Sequence, residues 1–257
     1  MRMSFIAGIA VLCCSGSVVR AGLPEVEPCV VLLAADNGDG TFYIGTGFFV
    51  SADGLIATAD HVAVNPDNGQ PRKLWARAAN KGNDYSIYLL KLLKRFGSGV
   101  DSGRDIAILR VAGKHAKPFP FLPVGKEPVL GTEVFIVGFP VVQYDVLKSP
   151  FARRGIVSST KYEHFGVPSI ILDIPMVDGY SGSPVVDPES SEVMGVVNAT
   201  FTERKEADFT CANRLTSEDI QSAIRSEAAG GVAKAKSGEN EKPSKALVEF
   251  LKVNATE

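Results

Sequence analysis

Apolar and polar positions along this chain fall into short runs separated by turns, the pattern of an antiparallel β protein rather than a helical one. Cys29 to Ala34 is apolar and β-branched, and Asp36-Asn37-Gly38-Asp39-Gly40 behind it is a strong turn signal. Thr41 to Val50 is the next strand, and Ser51-Ala52-Asp53-Gly54 turns it into Leu55 to Thr58, so a meander ends at His61. After a loop over residues 65–70, Leu74 to Ala78, Tyr85 to Leu93 and Ile106 to Val111 complete a first set. The stretch from Pro118 to Pro128, which also holds Pro120 and Pro123, suits a connection between two halves. A second set follows at Glu133–Val137, Gly155–Ser159, Ser169–Asp173, Ser183–Val186, Val193–Asn198 and Phe209–Asn213. This inventory predicts an all-β protein of two six-stranded antiparallel β-barrels with a site between them, although no repeat relates the halves.

The pattern changes near the C-terminus. Thr216-Ser217-Glu218-Asp219 is a helix start, the apolar positions Ile220 and Ile224 continue it, and Gly230-Gly231 stops it. Ala233 to Ser244 is of low complexity and reads as disordered, while Leu247 to Leu251 has the length for one or two amphipathic turns. The expected organisation is a first barrel over about 29–117, a second over about 129–215, a helix over 217–228 and a flexible tail over 230–257.

The first residues do not belong to that fold. Met1-Arg2-Met3 is a basic start, and Phe5 to Cys14 is an apolar run too short to span a bilayer. Val19-Arg20-Ala21 offers small residues for a signal peptidase, so residues 1–21 read as a signal peptide cleaved after Ala21, with an N-terminal anchor as the alternative. A lipoprotein reading fails because Leu12 precedes Cys13, and Cys13 precedes Cys14, where a small residue is wanted. The chain is therefore expected to be secreted or periplasmic. Cleavage removes two of the 27 basic side chains and none of the 29 acidic ones, leaving a net charge of −4, no basic field for nucleic acid and no stable membrane insertion. Two cysteines remain, Cys29 and Cys211, which suit either one disulfide in an oxidising compartment or two buried thiols.

Three short segments carry candidate chemistry: Thr58-Ala59-Asp60-His61-Val62, Asp105-Ile106-Ala107-Ile108-Leu109 and Gly179-Tyr180-Ser181-Gly182-Ser183-Pro184. Taken singly each has a plainer explanation: a core histidine, a strand-start aspartate, a serine in a loop. Together they set a serine nucleophile, a histidine base and an orienting aspartate in the order His, Asp, Ser. That is the order of chymotrypsin-type proteases. Of the other histidines, His115 and His164 read as exposed loop residues. No His/Cys cluster has metal-ligand spacing, and this chemistry needs neither metal nor organic cofactor.

Over roughly residues 29–226 the chain resembles the protease domain of the HtrA/Deg group within the trypsin-like clan. Gly45-Thr46-Gly47-Phe48 resembles the glycine-rich strand before the histidine, and the segment from Gly131 to Gly138-Phe139-Pro140 resembles the opening of the second barrel. Gly155-Ile156-Val157-Ser158 is similar to a strand of that group, and Asp173 falls where the group has an aspartate. The resemblance implies that Ser181 attacks the peptide carbonyl, His61 moves the proton, Asp105 orients the imidazole, and the N–H groups of Gly179 and Ser181 form the oxyanion hole. Polypeptides are the implied substrates.

The chain departs from the group's pattern in three ways. Tyr180 stands where the residue before the serine is usually Asn or Asp, so the acid that pairs with a new N-terminus in pancreatic zymogens is missing. Ser183 replaces the commoner Gly, as in glutamyl endopeptidases. The residues after the helix are too few for a PDZ module of about 90 residues. By the same resemblance Pro175 forms the base of the specificity pocket and Val197, Asn198, Ala199 and Thr200 its wall. None is charged, so cleavage is expected after small or medium aliphatic residues, with Asp178 at the rim. A protease-fold binding protein with latent hydrolysis is the alternative, resting on Tyr180. An esterase or acyltransferase has no positive support.

Overall fold

The structure is a computed structural model that describes residues 23–37, 41–79, 85–97, 103–113, 115, 117–142, 145–146, 149–164, 166–201, 209–230 and 242–253. The signal-peptide segment 1–21, the Gly38–Gly40 part of the first turn and most of the low-complexity stretch lie outside the described residues. A turn of helix, α1 (Leu23–Val26), and a 3-10 turn (Glu27–Cys29) lead into β1 (Val30–Asp36). Then come β2 (Phe42–Phe49), β3 (Leu55–Thr58), α2 (Asp60–Ala63), β4 (Leu74–Ala79), β5 (Tyr85–Arg95) and β6 (Ala107–Val111). The second half holds β7 (Glu133–Gly138), β8 (Val141–Val142), β9 (Asp145–Val146), β10 (Phe151–His164), β11 (Val167–Leu172), β12 (Pro184–Val186), β13 (Val193–Phe201) and β14 (Phe209–Arg214). Two helices, α3 (Ser217–Ala228) and α4 (Lys245–Val253), end it.

Two closed antiparallel barrels result, in the orders β1-β2-β3-β6-β5-β4 and β10-β11-β14-β13-β12-β7. β1 shows why its sequence reads as an unbroken apolar run. Val31, Leu33 and Ala35 fill the first barrel, while Leu32 and Ala34 join the apolar layer that reaches Val137 and Phe139 of the second half. A strand buried on both faces cannot alternate with polar residues. β10 is the opposite case, 14 residues where the sequence suggested five. Its Phe151–Ile156 half pairs with β7 and its Val157–His164 half with β11, with register shifts at Ser159. Bulges bend one long strand into both pairings, and its exposed Arg154 and Lys161 hide it from an apolar pattern.

α3 starts as its sequence predicts. Thr216 Oγ1 accepts from the Asp219 N–H at 3.2 Å and the Asp219 carboxylate accepts from the Thr216 N–H at 2.9 Å, a reciprocal capping box. Burial opposes the Asp219 carboxylate, but Arg104 and Thr216 outweigh it and hold its pKa below the usual range.

Two expectations are corrected here. Residues 245–253 are not part of a flexible tail. They form α4, whose Leu247 and Leu251 are fully buried in the apolar layer beneath β1 and whose Phe250 ring stacks on Phe42 at 4.5 Å. Arg77 donates to the Leu251 carbonyl at 3.3 Å, and the Ser244 hydroxyl donates to Asp36 at 2.6 Å. A period of four leucine-type positions carries the signal, but the surface that receives it exists only once the barrel has closed. We expect Leu247→Ala to cost about 2–5 kcal/mol in denaturant unfolding at an unchanged m-value.

The second correction concerns Cys29 and Cys211, which are free buried thiols rather than a disulfide. Cys29 enters with the lead into β1, where its thiol donates to the Glu25 carbonyl at 3.5 Å. Cys211 sits in β14 of the other barrel, paired with Ile171 and Ala199. Cys29 is thus held at the entrance to the first barrel and Cys211 in a strand of the second. Burial pushes the Cys29 thiol up to about 12 and raises Cys211 as well, so both stay protonated at neutral pH.

Candidate active site

β3 ends at buried Thr58, Ala59 follows in extended conformation, and the chain then makes the single helical turn α2 that carries His61. Asp105 lies just before β6, nearly buried, and holds His61 twice. Its Oδ1 accepts from the His61 backbone N–H at 2.9 Å, and its Oδ2 lies 2.6 Å from His61 Nδ1. A carboxylate only accepts, so the proton of this contact sits on Nδ1 and Nε2 is left as the acceptor. The histidine side chain is 27% exposed against 6% for the aspartate, so the imidazole faces the cleft while its partner does not. The preceding Arg104 is fastened to Asp219 of α3 by two hydrogen bonds of 2.9 and 2.6 Å, so α3 anchors the Asp105 loop.

The serine turn is tied to the first barrel. Thr46 of β2 accounts for three bonds: its N–H donates to Ser181 O at 2.8 Å, its hydroxyl donates to Gly179 O at 2.7 Å, and the hydroxyl accepts from Phe139 N at 3.0 Å. Gly179 and Gly182 have φ of 92° and 88°, the left-handed region. A Cβ on Gly182 would lie 2.0 Å from Thr46 O and 2.2 Å from Thr58 Oγ1, and one on Gly179 would lie 2.2 Å from Phe139 O. The turn therefore packs backbone against backbone beside Thr58 and Ala59, with Asp60 between them and His61.

That packing also sets the oxyanion donors. The Asp178 carbonyl accepts from Val141 N at 2.8 Å. In a trans peptide C=O and N–H point apart, so the Gly179 N–H faces the other way. Among the described residues neither the Gly179 nor the Ser181 N–H donates to a protein acceptor, and Ser181 Oγ has no hydrogen-bond partner. The structure thus gathers His61, Asp105 and Ser181 at one seam, with the Asp105–His61 bonds formed and no Ser181–His61 hydrogen bond.

Tyr180 does not enter the cleft. Its side chain is 1% exposed within the apolar core of the second barrel. The Arg153 guanidinium lies over its ring at 5.7 Å and donates to the Pro175 carbonyl. Burial raises the Tyr180 phenol against the opposing pull of Arg153. Opposite stands Gly138, where a Cβ would fall 3.0 Å from Tyr180 Cδ1 and 2.0 Å from Ser183 Oγ, so the larger residues at 180 and 183 depend on a glycine there.

The pocket residues divide. Pro175 is exposed on the loop after β11, and Val197 turns its side chain into the second core while its backbone bonds Gly182 and Ser183. Asn198 is 7% exposed with Oδ1 enclosed and unpartnered. Ala199 and Thr200 continue β13 opposite Cys211 and Thr210, and their side chains lie outside the description. Asp173 is exposed and accepts from Ile156 N at 2.7 Å, a strand-bracing contact. His115 is corrected from an exposed loop residue to a half-buried ring. It lies between Tyr88 and Phe119 at 5.4 and 5.0 Å, beside a cavity of about 470 Å³ that none of His61, Asp105 and Ser181 lines. The His164 side chain is not among those described.

Two closed antiparallel barrels joined along a seam that holds an Asp-bound histidine and a glycine-flanked serine define the chymotrypsin-like class. The chain belongs to the family of the trypsin-like peptidase domain, matching it over residues 45–196. It is 32% identical over 168 residues to a probable periplasmic serine endoprotease DegP-like of Pseudomonas fluorescens, covering 62% of this chain and 30% of that protein. It is also 32% identical over 164 residues to the mitochondrial serine protease HTRA2 of Bos taurus, covering 59% and 30%. The chain thus spans under a third of the length of these curated relatives. Among solved structures, the serine endoprotease from Yersinia pestis superposes with a TM-score of 0.59 at 22% identity, over 79% of this chain and 65% of that one, and shares the fold. No described helix is long and apolar enough to cross a membrane.

Proposed function

We propose that this chain is a serine endopeptidase of the HtrA type, exported to the periplasm or secreted, that cleaves polypeptides through an acyl-enzyme. The observation that carries this reading is the doubly held His61. Asp105 fixes both its backbone and its ring, leaving Nε2 toward the cleft beside the Ser181 turn. Ser181 Oγ attacks the scissile carbonyl as His61 Nε2 takes its proton. The tetrahedral oxyanion accepts from the Gly179 and Ser181 N–H groups, and His61 returns the proton to the leaving amine. Water, activated by the same imidazole, then hydrolyses the acyl-serine. The missing Ser181–His61 bond is no objection, because such contacts tighten when substrate binds. The burial of Tyr180 in the second barrel supports a competent turn rather than latent hydrolysis.

A fluorophosphonate probe tests the reading: it should label the full chain at Ser181 and no longer label Ser181→Ala. Digestion of an unbiased peptide library should show cleavage, predominantly after Val, Ala or Ile. Neither Pro175 nor Asn198 carries a charge to pair with a desolvated Lys, Arg or Glu. Predominant cleavage after charged residues would remove the pocket assignment, and ester-only turnover would remove the peptidase.

A further inference from the structure

We infer that Arg95 and Asp60 form a clamp that positions the catalytic histidine, a role that rests on His61 being the general base. Asp60 is the residue directly before His61 in the single turn α2, and it is 1% exposed. Arg95 is the last residue of β5 and grips it with both arms of the guanidinium, Nε to Oδ1 at 2.8 Å and Nη2 to Oδ2 at 2.7 Å. This fork is the strong geometry for an arginine–carboxylate pair.

What makes it more than a local ion pair is where β5 ends. Arg95 is laddered opposite Ala107, and the next residue, Phe96, donates its N–H to Ile106 O at 2.9 Å. Asp105 is the residue just before that carbonyl. One arm of the clamp therefore holds the turn that carries His61, and its root is bonded to the strand that carries Asp105. A four-residue helix has little stiffness of its own, held by only the short-range backbone bonds of Val62 N and Ala63 N to Ala59 O and of Val64 N to Asp60 O. The clamp supplies the stiffness that keeps the imidazole on the Asp105 carboxylate.

The charges around the pair agree. Burial pushes the Asp60 carboxyl up, with Arg95 opposing, and Asp105 adds repulsion while His61 adds attraction. Arg95 in turn is raised chiefly by its bond to Asp60, with Asp105 contributing. Asp105 also acts electrostatically on Tyr43, whose ring lies under the Arg72 guanidinium, and on Cys211 of β14, both of which stay neutral at physiological pH. Asp178 of the serine loop adds to the charge acting on Tyr43. Arg95 is thus the cation that neutralises the second carboxylate beside His61.

The test compares wild type, Asp60→Asn, Arg95→Met, Arg95→Lys and the double variant Asp60→Asn/Arg95→Met in the full chain. The double variant leaves no buried charge unpaired and so keeps the test independent of misfolding. Peptide hydrolysis should show kcat about tenfold lower in each variant without the fork, with KM within about twofold. The double variant should lose no more than Arg95→Met alone, and Arg95→Lys, with one point charge in place of the fork, should recover part of the loss. The far-downfield proton resonance of the His61 Nδ1–Asp105 hydrogen bond should broaden or move upfield in the same variants. Wild-type kcat and an unchanged resonance in the folded double variant would overturn the clamp, as would losses that multiply independently. A wild type without peptidase activity, or full activity in Ser181→Ala, would instead remove the reading of the site. The resonance would still report on the clamp.

Discussion

Ser181→Ala is expected to lower kcat for peptide hydrolysis by about 10⁴ to 10⁶ while leaving the fold in place. The size follows from what the hydroxyl does alone: the other serine of the turn, Ser183, is fully buried, and the residual rate rests on the oxyanion donors and on binding. The fold survives because Ser181 is held through its backbone, whose carbonyl accepts from Thr46 N, and its Oγ has no hydrogen bond among the described residues. Removing an unbonded, half-buried hydroxyl should shift stability by under about 1 kcal/mol. His61→Ala should cost nearly as much in kcat, and combining the two should add little, because nucleophile and base act as a unit. Progress curves on a fluorogenic peptide and thermal melts of the same preparations check both halves. Equal activity in wild type and Ser181→Ala would end the assignment.

Asp105→Asn should lower kcat by about 10⁴ at neutral pH with little change in folding. The amide keeps an oxygen that can accept from the His61 backbone N–H, as Oδ1 does now at 2.9 Å, so α2 stays in place. At the second contact, the carboxylate oxygen 2.6 Å from Nδ1 gives way to an NH₂ donor. Facing a donor, Nδ1 must become the acceptor, the ring proton moves to Nε2, and the nitrogen meant to receive the serine proton is already occupied. The loss should fall on kcat rather than KM. Raising the pH with a strong external base should not recover wild-type turnover, because the tautomer is set by the amide and not by the protonation of the ring. A loss below tenfold would mean that Asp105 does not set the tautomer.

Much of this was legible in the strand pattern. Leu55 to Thr58 and Ile106 to Val111 are short, apolar and turn-bounded, and they form β3 and β6, which pair and carry His61 and Asp105 at their ends. The capping box at Thr216 and Asp219 was legible too, since local hydrogen bonding within four residues needs nothing from elsewhere. The glycines at 179 and 182 stood in the sequence as flanks of a candidate serine, and the close approach of Thr46 and Phe139 shows that their positions have no room for a side chain.

The remaining features came from contacts between residues far apart in sequence. Asp60 looks like an ordinary helix-start acid until the end of β5 brings Arg95 onto it across 35 positions. Arg104 beside Asp105 carries no signal of its own, yet Asp219 lies 115 residues away and locks it. Tyr180 raised doubt in the sequence because a large ring stands beside a nucleophile. Only the closed second barrel shows that the ring has a core to enter and Gly138 to face it. The thiols suggested a bridge by their number, but one sits in the turn before β1 and the other in β14 of the second barrel, and both are free. Leu247 and Leu251 read as the end of a tail because the surface that buries them is assembled from β1 and its neighbours. The sequence by itself determined the strands, the turns and the order of His61, Asp105 and Ser181, since those depend on period and local backbone preference. Tertiary structure decided which charges meet, which polar groups are buried and which apolar faces are covered, because those depend on distances that no short window contains.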